Sequence, residues 1–387
     1  NPSAQLDQPV TQVFCNATAA NINLTSSNTG GSMSYSWTSS NSSIGLSGDT
    51  GNFIPSFTAV NGGTIPINST IVVTPSFTNA GVTCTGPAKT FIVTVNPSAQ
   101  VNQPAPVVFC NGNSATINFT TLNTGGTTNY SWTNTDTSIG LSGTGSGVNQ
   151  SFIAVNAGAT PVVASIVVTP SFTNAGVTCS GPTKSYTITV NPSAEVNQPA
   201  SQVLCSGNST AAIAFTSNNN PGTTTYSWTN NNPSIGLIAT SGNSDNIPSF
   251  TATNIGTAPA VATIIVTPTY TYDGVSCTGT SKTFTITVNP LGQMNVIAPQ
   301  LFCNGEAANI NLTTQNTGGV TNYSWTTTNQ SIGLANGNGT NLQSFIAANT
   351  GIVPQTATIS IIPSFTFGGV SCNGTQGTFT ITVNPSA

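Results

Sequence analysis

The residues of this 387-residue chain best able to form covalent bonds are its eight cysteines, at 15, 84, 110, 179, 205, 277, 303 and 372. Taken in order they make four pairs, Cys15 and Cys84, Cys110 and Cys179, Cys205 and Cys277, Cys303 and Cys372, separated by 69, 69, 72 and 69 residues. With no histidine in the chain, two cysteines at a time cannot complete the usual four-ligand zinc site, and there is no redox Cys-x-x-Cys. The expected chemistry is oxidation to structural disulfides, one closing each pair. In a chain-entropy account, a closed loop of about 70 residues stabilises by roughly 4 kcal/mol, a large share of what a small domain has in total. Such bridges persist in oxidising, extracytoplasmic surroundings, so an extracellular location is expected.

Other chemistry is hard to assemble. Catalysis needs acids, bases or nucleophiles gathered in a cleft. The seven acids (Asp7, Asp49, Asp136, Glu195, Asp245, Asp273, Glu306) do not recur at one position, and none form a calcium-loop spacing. No catalytic residue, cofactor or metal is expected. Lys89, Lys184 and Lys282 do recur just before a strand. An internal Lys–Asn isopeptide bond would want a recurring buried acid beside them. Lacking it, they read as charges that discourage edge pairing.

The elements that must position the cysteines come from an internal repeat, the first thing to seek in such a chain. Asn-Pro recurs at 1, 96, 191, 289 and 384, giving periods of 95, 95, 98 and 95. Trp37, Trp132, Trp228 and Trp325 share a Tyr-Ser-Trp-Thr, and Phe57, Phe152, Phe250 and Phe345 follow a shared serine. The expected domains are residues 1–95, 96–190, 191–288 and 289–383, with 384–387 opening a fifth. The sequence NPSA at both ends suggests a window on a longer repeating polymer. Within a repeat, Phe-Thr-Ile-Thr-Val (284–288) alternates as a half-buried strand does. Turn signals such as Asn-Thr-Gly-Gly (123–126) separate such runs, and no helical period is sustained. About seven short strands per repeat predict an all-β chain of four tandem immunoglobulin-like sandwiches with the tryptophans in their cores. Cysteine to tryptophan is longer than in antibody domains, so the bridge is expected near one end of the sandwich.

Tyr-Ser-Trp-Thr, Ser-Phe-x-Ala, Val-Thr-Pro-Ser-Phe, Gly-Val-x-Cys-x-Gly and Phe-Thr-Ile-Thr-Val-Asn-Pro, taken together, resemble the PKD-like, immunoglobulin-like repeats of large Bacteroidota surface proteins. The Trp-x-Phe-Gly-Asp-Gly core of classical PKD domains is missing, Trp132 being followed by Thr-Asn-Thr-Asp. The resemblance implies a secreted cell-surface adhesin or filament, in proteins exported by type IX secretion and in some cases linked to gliding motility.

Charge supports a passive surface. Three lysines, no arginine and seven acids give −4, and charged residues are 3% of the chain against about 25% in ordinary domains. Nucleic-acid binding needs clustered cations, and no apolar run approaches a membrane span. Sequons at Asn16, Asn23, Asn118, Asn208, Asn311 and Asn373 are candidate glycosylation sites. Short Val-Asn-Pro linkers, in which proline fixes φ and extends the preceding asparagine, predict one repeated angle between neighbours and an extended rod. Three readings follow: a stalk that holds a distal binding tip away from the cell, a self-assembling filament subunit whose partners are other copies, and a carbohydrate-binding module.

Overall fold

The structure is a computed structural model and describes residues 1–386; Ala387, the last of the four residues read as opening a fifth repeat, lies outside the described residues. It forms two compact units, Asn1–Pro192 and Ser193–Ala387, each holding two β-sandwich repeats.

The first repeat contains β1 (Gln12–Cys15), β2 (Ala19–Ala20), β3 (Ser32–Ser39), β4 (Asp49–Gly51), β5 (Phe57–Thr58), β6 (Ile67–Asn79), β7 (Val82–Thr85) and β8 (Lys89–Asn96). Its main sheet runs β1-β8-β6-β3-β4, with β7 also on β6, and β2 and β5 make a small second sheet. Only β1 with β8 is parallel. The rest of the second layer is extended chain tied by single bonds such as Asp7 N–H to Thr25 O, 3.0 Å. The other three repeats follow the same order.

The long strand β6 organises each sandwich. Ile71, Val73 and Phe77 point inward from alternate positions and are fully buried. β7 and β8 are one return strand on the same edge of β6, interrupted at residues 86–88. Pro75 lies at the break. Lacking an N–H, it cannot donate to the ladder, while its carbonyl accepts from Gly86 N–H at 2.9 Å. The pairing shifts by one residue across the interruption: Ser76 faces Thr85, but Val73 faces Lys89. That is a one-residue bulge, which bends and re-aims a strand.

Each repeat has its own apolar core, and no core cluster mixes residues of two repeats. Trp37, Trp132, Trp228 and Trp325 lie inside these cores. Three of their indole N–H groups are satisfied, by Ser47 O, Ser244 Oγ and Ala335 O. A 3₁₀ turn follows each tryptophan strand, as at Ser42–Ile44, capped by Asn41, Asp136, Asn232 or Asn329. It drops a fully buried isoleucine (Ile44, Ile139, Ile235, Ile332) into the core.

Candidate functional site: the clamped junction between successive repeats

The asparagine that opens each period in the sequence closes the last strand of the preceding sandwich: Asn96 ends β8, and Asn289 ends Lys282–Asn289. From there only proline and a few residues lead into the next repeat, and in each unit the same set of contacts gathers around this crossing.

The cysteines make the first contact, and not as the sequence suggested. Cys15 bonds Cys179 and Cys205 bonds Cys372, each with Cα atoms 5.5 Å apart. Cys110 and Cys277 are also disulfide-bonded, whereas Cys84 and Cys303 are free thiols. The expected pairs Cys15–Cys84, Cys110–Cys179, Cys205–Cys277 and Cys303–Cys372 are therefore corrected: the observed bridges join one repeat to the next. The reason lies in β6. Cys15 is level with Asn96 and the start of β6, while Cys84 pairs opposite Phe77 near its far end. About ten residues of strand at 3.3 Å each put the two cysteines of one repeat roughly 30 Å apart, far beyond the 7 Å or so that a bridge spans.

Asparagine makes the second contact. Asn96 Nδ2 donates to the carbonyls of Asn174 (3.2 Å) and Val177 (3.4 Å), the two ends of the next repeat's hairpin turn. Asn174 Nδ2 donates back to Asn96 Oδ1 at 2.9 Å. In the second unit Asn289 Nδ2 holds Phe367 O (2.9 Å) and Val370 O (3.2 Å).

A third contact lies at another loop. Thr124 N–H donates to Thr64 O at 3.0 Å, and Asn123 Nδ2 reaches the same carbonyl at 3.4 Å. Thr317 and Asn316 repeat this on Thr257 O, at 2.9 and 3.5 Å. Asn123 also accepts from Gln100 N–H (2.6 Å) and donates to Ser98 O (3.3 Å), so one side chain ties linker, turn and preceding repeat together. The loop it meets is held by the buried Asn61, whose Nδ2 donates to Ile65 O (2.8 Å) and Val95 O (2.7 Å). Asn156, Asn254 and Asn349 do the same in the other repeats. These asparagines were not singled out in the sequence. Their signal was an Asn followed two residues later by Gly, ten or eleven residues before the long strand's apolar run, hidden among many other asparagines.

The linker itself is laid across the interrupted return strand. A Cβ on Gly86, Gly181, Gly279 or Gly374 would sit 1.7–1.8 Å from the carbonyl oxygen of Ala4, Ala99, Ala194 or Gly292. The glycine two places after each return-strand cysteine is thus required by close backbone approach.

The remaining sequence candidates fall as follows. Asn23, Asn118, Asn208, Asn311 and Asn373 are exposed, but Asn16 is half-buried, with its amide donating to Ser98 Oγ (3.0 Å) and accepting from Asn61 N–H (2.8 Å). Lys184 and Lys282 are exposed and Lys89 is half-buried. Among the described residues, no three or more His, Cys, Asp or Glu side chains gather as for a metal ion. An open concavity of about 530 Å³ in the third repeat is lined by Thr224, Tyr226, Ser244 and Asp245 among others. Among the described residues, no helix is long and apolar enough to cross a membrane.

Titration is perturbed mainly at tyrosines. Burial pushes Tyr186 up to about 12, and burial raises Tyr35, Tyr130, Tyr226, Tyr270 and Tyr323 as well. Asp136 is held below the usual carboxylate range by hydrogen bonds from the Ser138 hydroxyl and then the Ser138 N–H. None of these groups belongs to the junctions, whose chemistry is covalent and hydrogen-bonded, not acid–base.

No family description matches the chain, and no curated protein does. Among solved structures it is similar to Drosophila N-cadherin EC1-4, at 11% identity over 98% of this chain and 99% of that one, with a TM-score of 0.32. It is similar to the insect immune protein hemolin, at 11% identity over 100% of both chains and a TM-score of 0.26. The three N-terminal domains of the bacteriophage RB49 highly immunogenic outer capsid protein match at 10% identity over 75% of this chain and 99% of theirs, with a TM-score of 0.37.

Proposed function

We propose that this chain is a structural stalk segment of an extracellular, adhesin-type surface protein, whose task is to set the spacing and angle between its sandwiches. One observation carries the reading: in each unit, successive repeats are joined by a disulfide, an asparagine clasp and a loop contact placed around the covalent linker. A flexible array of binding modules would need none of these. Their redundancy makes sense where the angle between neighbours matters. The oxidised bridges support an extracytoplasmic location, and the motif resemblance to Bacteroidota surface repeats supports a cell-surface filament or adhesin. The exposed sequons leave room for a glycan coat.

The test is deletion of one full period, residues 96–190, from the parent protein. Cys277 holds the return-strand position of the third repeat, so deletion brings it into the place of Cys179 beside Cys15. A new Cys15–Cys277 bridge is expected, with normal surface display, a shorter surface projection and attachment retained. The shortening is about 40 Å, the span of a 13-residue strand such as β6. Loss of attachment at normal display would show that the deleted repeat itself binds.

A further inference from the structure

The third repeat leaves open a strand edge that the other three close. In the first and fourth repeats the edge strand beside the tryptophan strand pairs as far as the tyrosine, Gly51 opposite Tyr35 and Gly339 opposite Tyr323. In the second the ladder reaches Ser131, and Gly147 N–H extends it by donating to Tyr130 O at 2.9 Å. In the third it stops at Trp228 and Gly242, with no rung at Ser227 or Tyr226.

One residue accounts for the difference. Gly145 and Gly242 pair the tryptophans, and three places later Val148 and Asp245 accept from second-layer amides, Phe119 N–H (2.9 Å) and Phe215 N–H (2.8 Å). Between these anchors Ser244 stands where Gly147 does. Gly147 reaches Tyr130 with φ +123°, a conformation that glycine adopts freely and serine does not. Ser244 Oγ instead accepts from Trp228 Nε1 at 3.2 Å, whereas Trp132 Nε1 in the second repeat is buried without a partner.

The strand edge and the departing loop border the concavity of about 530 Å³, with residues 224–227 on one side and 243–245 on the other. Ligand sites are commonly about 300–1,000 Å³. Successive strand residues point their main-chain groups to opposite edges. The Gly147–Tyr130 bond fixes which of them face outward: the tyrosine position and the residue two places before it, here Tyr226 and Thr224. The fourth repeat has a hollow of about 460 Å³ at the same place, but there Gly339 already pairs the tyrosine.

We propose that this open edge of the third repeat binds an extended peptide of another protein by strand addition, with a cationic side chain beside Asp245. Main-chain pairing to the edge supplies affinity, and alternate side chains supply selectivity. Asp245 is the charged residue on the walls. A second copy does not fit the role. The chain has no arginine, and Lys89, Lys184 and Lys282 each begin a return strand already paired, opposite Val73, Val168 and Val266. The site goes beyond the stalk reading, because it gives one repeat a partner that the others do not take.

The probe is the acetylated, amidated peptide Thr-Val-Lys-Val-Thr, titrated into the full oxidised chain and followed by residue-resolved NMR shifts and amide exchange. Saturable shifts and slowed exchange are expected at Thr224 and Tyr226, and none at Thr128 and Tyr130. Asn243→Ser combined with Ser244→Gly copies the second repeat's Gly-Ser-Gly and should close the edge, weakening binding by about tenfold or more. Norleucine in place of the peptide's lysine should weaken binding about threefold to the parent and not at all to Asp245→Asn. A second pair of probes works even if the double variant misfolds: peptides N-methylated at both valines, or at the lysine. Strand addition uses the amides of one parity only, so one of the two should lose binding and the other keep it. Equal binding of both, binding that survives closure of the edge, or no shift at about 1 mM peptide would overturn the proposal. So would binding that leaves amide exchange at Thr224 and Tyr226 unchanged, the result for a site read only by side-chain hydroxyls.

Discussion

Cys15 and Asn96 face each other on the last rung of the parallel pairing between β1 and β8. The disulfide and the linker therefore leave the first repeat from one point and land on one hairpin of the second, Asn96 on its turn carbonyls and Cys15 on its return strand. The Thr64–Thr124 contact adds a third attachment through a different loop. Twisting about the linker must break at least one of the three.

Cys15→Ser should leave both sandwiches of the first unit folded, because each has its own core, while lowering the unit's stability. The bridge closes a 164-residue separation, for which chain entropy gives up to about 5 kcal/mol, with measured bridges mostly contributing 2–4. Thermal melts should place the variant below the oxidised parent, and the reduced parent, which loses every bridge, at or below the variant. Equal melting of all three would show that the bridge is dispensable.

Gly181→Ala places a methyl 1.7 Å from Ala99 O, so backbone must move. A loss of about 2–4 kcal/mol is expected, in the range of overpacked sites. Gly62→Ala is the control, since nothing lies within 4 Å of its Cβ position; its effect should stay within about 0.5 kcal/mol. Denaturant titration of the two variants side by side is the measurement.

Asn156→Ala removes donations to Thr160 O and Val190 O and the acceptor for Gly158 N–H, in a buried site. Leaving such groups unpaired should cost about 2–4 kcal/mol. Hydrogen exchange should accelerate at residues 157–160 first. An unchanged exchange profile would mean that the loop holds itself.

Between roughly pH 5 and 9 melting should be nearly flat. Tyr186 has its pKa raised to about 12 from 10.0. Its stabilisation is complete below the unfolded value and is lost as pH climbs through the folded one. Stability should therefore fall above about pH 10. Tyr186→Phe should reduce that fall and cost nothing at neutral pH, because the hydroxyl is buried without a partner and the equivalent residues are Phe91, Phe284 and Phe379. Asp136 has the opposite sign: its contribution is present above the unfolded value of 3.8 and is lost as pH falls through its lower folded value. Asp136→Asn should remove the part of any acid loss that comes from this cap, since asparagine caps the same turn in the other three repeats. A melting temperature that falls steeply between pH 7 and 5 would contradict this account.

The strands were legible because β-branched residues alternate: the burial of Ile-Val-Val-Thr-Pro-Ser-Phe (71–77) follows its sequence almost residue for residue. The repeat was legible from the tryptophans and the Asn-Pro pairs. The disulfide partners were not, and periodicity is the cause. When cysteines recur every 95 residues or so, pairing within a repeat and pairing one repeat onward use the same positions. Only the length of β6, which separates Cys15 from Cys84, decides between them. The loop-holding role of Asn61 and Asn156 was hidden for a different reason: asparagine is so abundant here that one buried copy per repeat does not stand out before the main chain around it is known.

The bridges also redraw the path along which force travels. In a chain pulled from its two ends, the shortest covalent route runs from residue 1 to Cys15, crosses to Cys179, follows the backbone to Cys205, and crosses to Cys372. About 60 residues lie on that route, so at up to 3.3–3.6 Å per residue the fully extended length is roughly 200 Å, where an unbridged chain of this size would reach about 1,300 Å. The long central strands of all four sandwiches lie inside the bypassed loops. Unfolding them under load cannot lengthen the molecule. Tension is carried by sulfur and a few short segments, and the chain behaves as an inextensible cord for as long as its surroundings keep it oxidised.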